Sequence, residues 1–325
     1  MKIGILLPYK ENFSPEYPGA VSLFVYETSI NSKYKKNIIV FVNTTFNKKF
    51  NLKYKNIPLS KSLFASQTKN YVKKFINQQR KFKFSIIEIH NRPGYVKQLN
   101  KYIKKSVFSL YFHNDPLSMD GSKTIKERKD LLNICYKIIF NSNWSKKRFL
   151  EGLDNKFVNS NKLEVFFQSA RKGKLSFIEK KKNWITFVGK LNKAKGYDIF
   201  SRSIKKVLNK FPNWKAKIIG DEKREKISLN HKNADLLGFQ SHDKVLDIFK
   251  KTSIAVACSR WDEPLGRTSL EASANGCAVI ITNKGGLPET VTNAKILKKL
   301  SDKSLETELI DLIKDTKNRK ILQTL

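Results

Sequence analysis

The sequence predicts an α/β protein made of two doubly wound domains with parallel sheets. Three observations lead to this fold class. Short apolar runs of strand length alternate with segments whose apolar residues recur at helical spacing. This alternation occurs twice, and a polar, basic segment of weak periodicity separates the two series. Strands that alternate with helices form parallel sheets whose two faces the helices cover.

The first series predicts an N-terminal domain over residues 1–168. A helical pattern within it is SLFASQTKNYVKKFINQQRK (62–81). Five apolar runs are interpreted as strands: KIGILL (2–7), NIIVFV (37–42), FSIIEIH (84–90), VFSLYFH (107–113) and KIIFNS (137–142).

The segment SARKGKLSFIEKKKN (169–183) predicts a linker, and residues 184–325 predict a C-terminal domain. Ligands of such sheets bind beyond the carboxyl ends of the strands, so we expect the site in a cleft between facing domains. The second series of strands is WITFVGK (184–190), WKAKIIGD (214–221), ADLLGF (234–239), SIAVACS (253–259) and CAVIITN (277–283).

The 325-residue chain is strongly basic: it has 54 Lys, 10 Arg and 28 acidic residues, and a net charge of +36. Two explanations stay open: compositional drift typical of AT-biased codons, and a role at an anionic membrane surface. Nucleic-acid binding is the weaker interpretation, because the charge is evenly spread and arginine, which forms forks to phosphate and guanine, is scarce.

The sequence argues against several other classes of protein. Cys135, Cys258 and Cys277 have neither a metal-binding spacing nor a disulfide framework, which favours a reducing cytoplasm. No apolar stretch approaches the roughly 18 residues that span a bilayer, and the N-terminus is too short in apolar residues for a secretory signal. We therefore expect a cytoplasmic protein whose membrane contact, if present, is peripheral on the inner face.

The stretch DEPLGRTSLEASANG (262–276) combines two carboxylates with the start of a predicted helix. Glu263 and Glu271 are poor phosphate ligands but good acceptors for hydroxyls. The first amides of the helix would point toward a diphosphate; they belong to Gly266, Arg267 and Thr268. This pattern indicates a sugar nucleotide, which has hydroxyls on both sides of a diphosphate. The alternative is structural, because Thr268 and Glu271 have the spacing of a helix capping box.

Two further segments suit a diphosphate. FVGKLNKAKG (187–196) ends a strand at Gly189 and then places Lys190 and Lys195, whose ammonium groups can neutralise phosphate charge. NKGGLPET (283–290) contains a Gly-Gly turn that is either a second backbone cradle for phosphate or an ordinary turn.

Taken together, these segments resemble the retaining glycosyltransferases of family 4, which have the GT-B fold: two Rossmann-like domains facing across a cleft. The glutamate pair matches that family's E-x7-E motif. The N-terminal half resembles the family more loosely, through IHNRPGY (89–95), YFHND (111–115) and IIFNSNWSKKRF (138–149). The matching C-terminal segments are GKLNKAKG (189–196), IIGDE (218–222), GFQSHDKVLDIF (238–249), SRWDEPLGRTSLEASANGCAVI (259–280) and GGLPET (285–290).

The resemblance implies roles for the matched C-terminal residues. Glu271 would hold the nucleotide ribose, and Glu263 would contact hydroxyls of the donor sugar. Lys190 and Lys195 would bind the diphosphate, with help from the backbone of residues 266–268. The remaining donor-binding residues would be Gly189, Gly238, Phe239 and Gln240, the last three near the base.

In the N-terminal half, the resemblance places His113 across the cleft, near the donor sugar and phosphate. Gly19, in the turn after the first strand, would approach the donor. A structural histidine is the alternative for His113, and His90 is a competitor that could line the acceptor cleft.

The chain departs from the family at several positions. Lys190 stands where arginine is usual. This keeps the positive charge but loses the planar guanidinium group, which can bind phosphate through two hydrogen bonds. Gly19-Ala20 replaces paired glycines, and Gln168-Ser169 replaces asparagine-glycine. The sequence stops at RKILQTL, where members usually continue with helices that cross back onto the N-terminal domain, so we expect a C-terminal domain that is naturally short or truncated.

The resemblance implies transfer of a sugar, with retention and without a metal ion, from a nucleoside-diphosphate sugar to a glycan or lipid-linked acceptor. The sugar nucleotide is a substrate, and no cofactor is expected. The alternatives are a catalytically impaired homologue that only binds sugar nucleotide, another GT-B activity such as nucleotide-sugar epimerisation, and a basic nucleic-acid-binding protein.

Overall fold

The computed structural model describes residues 1–59, 66–172 and 181–324. Contacts between Cα atoms divide the chain into two compact units, Met1–Gln168 and Ser169–Leu325. Of the segment predicted as a linker, residues 173–180 lie outside the described ranges. Within those ranges, no helix is long and apolar enough to cross a membrane.

Unit 1 contains a parallel sheet built from apolar runs that are buried on both faces. Its strands are β1 (Ile3–Leu6), β2 (Ile38–Val42), β3 (Tyr54–Asn56), β4 (Ile86–His90), β5 (Val107–Phe112), β6 (Lys137–Phe140) and β7 (Leu163–Val165). Their order is β3-β2-β1-β4-β5-β6-β7. Because β1 pairs with both β2 and β4, the sheet is wound in two directions from it.

Helices cover the two faces of this sheet. One apolar cluster lies under α1, and a larger one lies under α2, α3 and α4 on the opposite face. The predicted helix over 62–81 is observed from Gln67 to Gln79, after a Ser66 cap, and residues 62–65 lie outside the described ranges. The helices are α1 (Ala20–Ile30), α2 (Gln67–Gln79), α3 (Pro93–Tyr102), α4 (Ile125–Ile134) and α5 (Asn143–Leu150).

Unit 2 contains a second parallel sheet. Its strands are β8 (Lys182–Val188), β9 (Lys215–Ile219), β10 (Ala234–Leu236), β11 (Thr252–Ala257), β12 (Ala278–Thr282) and β13 (Lys295–Leu297), in the order β10-β9-β8-β11-β12-β13. The first strand begins at Lys182, inside the segment predicted as linker, because Lys182 already pairs with Thr252 of β11.

The helices of unit 2 are α6 (Tyr197–Lys210), α7 (His242–Lys251), α8 (Arg267–Ala274), α9 (Asp302–Lys314) and α10 (Thr316–Thr324). In the sheet, β8 lies between β9 and β11, so the winding reverses at β8. This reversal is the switch point at which doubly wound sheets bind ligands. The loops that follow β8 and β11 therefore leave the sheet side by side.

Candidate active site

The loops after β8 and β11 pack directly against each other at the switch point. The Arg260 amide donates to the Ala194 carbonyl at 2.9 Å. Gly196 has a φ of 72°, and a Cβ atom there would lie 1.9 Å from the Cys258 carbonyl oxygen. Only glycine fits this close approach.

This packing brings Lys195 to Glu263. The Lys195 ammonium lies 2.5 Å from Glu263 Oε1, and the Ser259 hydroxyl donates to the same oxygen at 2.5 Å. Glu263 is buried, whereas the Lys195 side chain is 30% exposed. The Lys195 ammonium also lies 5.6 Å from the centroid of the Trp261 ring. Within the described ranges, no hydrogen bond reaches Glu263 Oε2, so this oxygen can accept a ligand hydroxyl.

The Gly285-Gly286 turn fixes the backbone of Glu263. The Gly286 amide donates to the Glu263 carbonyl at 2.6 Å. Gly285 has a φ of 60°, and a Cβ atom there would lie 2.1 Å from that carbonyl oxygen. The Gly286 amide is already engaged by the Glu263 loop, which favours the ordinary structural turn over a second phosphate cradle.

Helix α8 begins directly after this loop. Its cap is Gly266, which has a φ of 100° and no side-chain oxygen to cover the first amides. The backbone of residues 266–268 thus forms a helix N-terminus of the kind that binds anions.

Glu271 lies in α8 and is buried. Its Oε1 accepts hydrogen bonds from His242 Nε2 at 2.8 Å and from Arg267 Nε at 2.6 Å. Burial alone would raise the pKa of this carboxyl, but the His242 hydrogen bond and the Arg267 charge outweigh it, and the pKa of Glu271 is lowered. Glu271 is therefore ionised at neutral pH. The capping box with Thr268 is not formed, because α8 has no side-chain cap.

The predicted base-binding segment ends next to His242, the partner of Glu271. Gly238 has a φ of 64°, and its carbonyl accepts from the Gly220 amide at 2.9 Å. The Gln240 side chain donates to the Leu237 carbonyl at 2.6 Å, and the Phe239 side chain is 39% exposed. This segment therefore exposes an aromatic ring three residues before His242, the residue that contacts Glu271.

The loop between Gly189 and Lys195 is held by Asn192. The Asn192 side chain accepts from the Lys195 amide at 3.0 Å and donates to Glu222 at 3.1 Å. Lys190 is exposed in this loop, and the Gly189 carbonyl is where a Cβ on Gly220 would collide, at 1.8 Å. Glycine is thus needed at position 220 for close packing of the ends of β8 and β9, and the exposed Lys190 follows directly after Gly189.

His113 and Gly19 belong to unit 1. His113 Nε2 lies 3.0 Å from His90 Nδ1, so the two histidines that sequence reasoning treated as competitors are partners. Gly19 caps α1, where the Glu11 carboxylate accepts from the Ser22 amide at 2.9 Å. A Cβ on Gly19 would lie 2.1 Å from that carboxylate.

Sequence reasoning missed His242 and Ser259 as parts of the site. Both lie within segments that carry the family resemblance, and that position was the only available signal. Their contacts depend on tertiary packing: α7 places His242 against Glu271, and the end of β11 places Ser259 against Glu263.

Comparison with known proteins shows which family unit 2 resembles. Residues 170–324 match the family model described as Glycosyl transferases group 1. The chain is 26% identical over 242 residues to spore coat protein SA of Bacillus subtilis (strain 168), covering 66% of this chain and 64% of that protein. It is 27% identical over 153 residues to the lipopolysaccharide core biosynthesis mannosyltransferase LpsB of Rhizobium meliloti (strain 1021), covering 44% of this chain and 42% of that protein.

Among solved structures, Anabaena HepE in complex with UDP and glucose has a similar fold, with a TM-score of 0.76 and 16% identity over 99% of this chain and 92% of that chain. The predicted GT-B fold class is therefore confirmed. Unit 2 is therefore similar to the group 1 glycosyltransferases, as the motifs of this half indicated. The chain spans less than two thirds of the length of both curated relatives.

Proposed function

We propose that the protein transfers a sugar from a nucleoside-diphosphate sugar to a hydroxyl of a glycan or lipid-linked acceptor, with retention and without a metal ion or cofactor. One observation carries the proposal. In a unit that resembles the group 1 glycosyltransferases, Lys195 is paired with Glu263 just before α8, and Glu271 is held ionised within α8.

The diphosphate would bind at the start of α8. Lys195 uses one of its three N–H groups on Glu263, which leaves two for phosphate oxygens. Lys190 is exposed in the same loop and adds a second cation. The amides of residues 266–268 complete the anion site.

Carboxylates would hold the two sugar rings that flank the diphosphate, namely the donor sugar and the nucleotide ribose. Glu263 Oε2 would accept a hydroxyl of the donor sugar, and Glu271 would accept the ribose hydroxyls. Gly238, Phe239 and Gln240 would meet the base. HepE was solved with UDP and glucose, so uridine nucleotides are the first donors to test.

Catalysis would depend on stabilising negative charge on the departing diphosphate and on orienting the acceptor. Lys190, Lys195 and the start of α8 would supply the compensating positive charge in place of a metal ion. Glu263 Oε1 is already covered by Lys195 and Ser259, which argues against its use as a nucleophile. Retention would then arise by attack from the leaving-group face.

We further propose peripheral binding to an anionic membrane through the amino-terminal edge of the unit 1 sheet. The segments that enter β1, β2, β4 and β5 carry nine exposed basic residues and no acidic residue. These four strands are adjacent, and hydrogen bonds link the segments, as from Ser85 to Lys2 and from Asn37 to Met1. This basic edge comprises Lys2, Lys33, Lys35, Lys36, Arg80, Lys81, Lys83, Lys104 and Lys105, with exposed Tyr34 and Tyr102 beside it.

The test of the transferase proposal is a panel of nucleoside-diphosphate sugars, screened by thermal shift and then followed by proton NMR. We expect one donor to stabilise the protein and to give a product with the donor's anomeric configuration. An inverted product would refute retention. Stabilisation without turnover, toward water or any supplied glycan, would instead identify a sugar-nucleotide-binding homologue.

A further inference from the structure

A hydrogen bond from His242 joins the start of α7 to the Glu271 carboxylate of α8. The imidazole Nε2 lies 2.8 Å from Glu271 Oε1. His242 is the first residue of α7 and comes directly after the segment 238–241, whose first three residues would meet the base. This bond therefore connects the segment proposed for the base with the carboxylate proposed for the ribose.

Buried contacts fix the two helices that carry this bond. Val245 and Phe249 of α7 and Ala272 of α8 belong to one apolar cluster. The side chain of His242 is 15% exposed and that of Glu271 is 8% exposed. Because both groups are largely buried on helices that share this cluster, their separation cannot change without disturbing the cluster.

Two donors use the same oxygen of Glu271. Arg267 Nε lies 2.6 Å from Oε1, one turn earlier in α8, and His242 Nε2 reaches this oxygen from α7. An ionised carboxylate can only accept, so the His242 proton in this bond is on Nε2. Within the described ranges, no hydrogen bond reaches Glu271 Oε2. The carboxylate is thus held through one oxygen and presents the other as an acceptor.

We propose that His242 is a positioning residue that holds Glu271 Oε1, so that Glu271 Oε2 accepts a ribose hydroxyl and the site distinguishes ribose from deoxyribose. This inference rests on the ribose contact proposed above for Glu271. A site arranged to bind a hydroxyl rejects a ligand that lacks it, because its own buried polar group is then left unpaired. His242 would therefore act in nucleotide selection.

Arg267 and His242 have different effects on the carboxylate. Arg267 is permanently charged and stays beside Glu271 when His242 is replaced, so the buried carboxylate keeps one cationic partner. Loss of His242 removes one of the two directions from which Oε1 is held, and the carboxylate can then turn toward Arg267 alone. We expect His242 variants to fold and to misplace Oε2.

Calorimetric titration of a nucleoside diphosphate and of its 2′-deoxy and 3′-deoxy analogues tests the proposal, with the base that the wild type prefers. We expect the wild type to bind the ribonucleotide about tenfold or more tightly than at least one analogue. His242→Leu should reduce this preference to roughly threefold or less by weakening the ribonucleotide. His242→Gln, whose amide can donate to Oε1, should restore most of it.

His231→Leu is the matched control and should leave the preference unchanged, because the His231 imidazole bonds to Asn209 elsewhere in unit 2. A structural role for His242 would weaken all three nucleotides together, so an unchanged preference in His242→Leu overturns the proposal. Equal affinity of the wild type for all three also overturns it and leaves the proposed function standing. Absence of nucleotide binding by the wild type would contradict the proposed function instead.

Carboxyl carbon NMR on the full chain tests the positioning role without a nucleotide. Burial raises the pKa of Glu271, but the hydrogen bond from His242 and the charge of Arg267 bring it below its ordinary value. The Glu271 resonance, assigned by Glu271→Gln, should therefore titrate at higher pH in His242→Leu than in the wild type, and His231→Leu should not move it. An unchanged titration in His242→Leu contradicts the positioning role, whether or not a nucleotide binds.

Discussion

At the scale of single residues, the buried Glu263 carboxylate is held by the Lys195 ammonium and the Ser259 hydroxyl, which both reach Oε1. Removing one partner of such a pair leaves a buried charge with less compensation. Lys195 also carries the N–H groups that we propose to bind phosphate, and in that proposal it would couple the orientation of Glu263 to the binding of the leaving group.

We expect Lys195→Gln to lower kcat/KM by roughly 100-fold, the usual order for loss of one donor that stabilises developing charge. Lys193→Gln is the matched control, because Lys193 is exposed in the same loop and is not assigned to the donor. Steady-state kinetics on both variants make the comparison. Equal losses in the two variants would mean that only the general positive charge of the loop matters.

Glu271 should make stability depend on pH. Because its pKa is lowered in the folded protein, its stabilising contribution is present above the unfolded pKa of about 4.3 and is lost as pH falls through the lower folded value. We expect Glu271→Gln to lose roughly 1.5–3 kcal/mol of unfolding free energy at neutral pH, and the difference from the wild type to narrow in acid.

Urea unfolding at several pH values measures this difference. Asp311→Asn, at an exposed carboxylate of α9, is the control and should show little change at any pH. A gap between the wild type and Glu271→Gln that is constant with pH would show that the carboxylate charge is not what His242 and Arg267 stabilise.

Single residues also show where sequence reasoning stops. Glu271 was found from its spacing to Glu263, because the E-x7-E pattern is local. Its partner His242 and the pairing of His90 with His113 were not found, since each joins elements that are distant in sequence but adjacent in the fold.

At the scale of elements, the close approach of the loops after β8 and β11 requires glycine. Gly196 and Gly238 both have positive φ, but a Cβ on Gly196 would lie 1.9 Å from the Cys258 carbonyl oxygen, whereas a Cβ on Gly238 has no atom within 4 Å. Substitution of Gly238 would therefore measure the cost of backbone strain alone, whereas substitution of Gly196 would add the cost of a steric collision.

We expect Gly238→Ala to cost about 1–2 kcal/mol of unfolding free energy, from the left-handed backbone alone. Gly196→Ala should cost several times more, because the loops must separate. Thermal or urea unfolding gives both values. Similar costs for the two variants would mean that the loops after β8 and β11 adjust freely and are not closely packed.

Except for β10, which the run ADLLGF predicted, the strands that sequence reasoning found are longer than those it missed. Runs such as NIIVFV predicted β2 because four or more apolar residues in a row are typical of a strand buried on both faces. Three short strands were not predicted: β3, β7 and β13. Each has three residues, lies at a sheet edge, and pairs with one neighbour, so neither apolar length nor periodicity marks it.

At the scale of the whole molecule, the net charge of +36 is compatible with compositional drift. However, the amino-terminal edge of the unit 1 sheet carries exposed basic residues without acidic residues among them. Each lysine near an anionic bilayer contributes about 1 kcal/mol to the free energy of membrane binding. Exposed tyrosines have an apolar ring and a polar hydroxyl, which suits the headgroup region. The basic edge therefore has the composition of a surface that binds anionic lipid.

We expect the protein to co-sediment with vesicles that contain phosphatidylglycerol and not with pure phosphatidylcholine vesicles. Replacing Lys81, Lys83, Lys104 and Lys105 with Gln should weaken this binding by more than tenfold. The control replaces four exposed lysines of unit 2, Lys205, Lys206, Lys226 and Lys232, and should change it little. Equal losses would indicate that only net charge matters, and preferential binding to RNA would favour a nucleic-acid partner.

We propose that unit 2 binds a nucleoside diphosphate between Glu271 and the Lys195–Glu263 pair. Calorimetric titration of UDP and the other nucleoside diphosphates measures this directly, in the wild type and in Glu271→Gln. We expect saturable binding of one nucleoside diphosphate to the wild type, without added metal ion, and binding at least tenfold weaker in the variant. Equal affinity in both proteins, or binding of none of the nucleotides by the wild type, would contradict it.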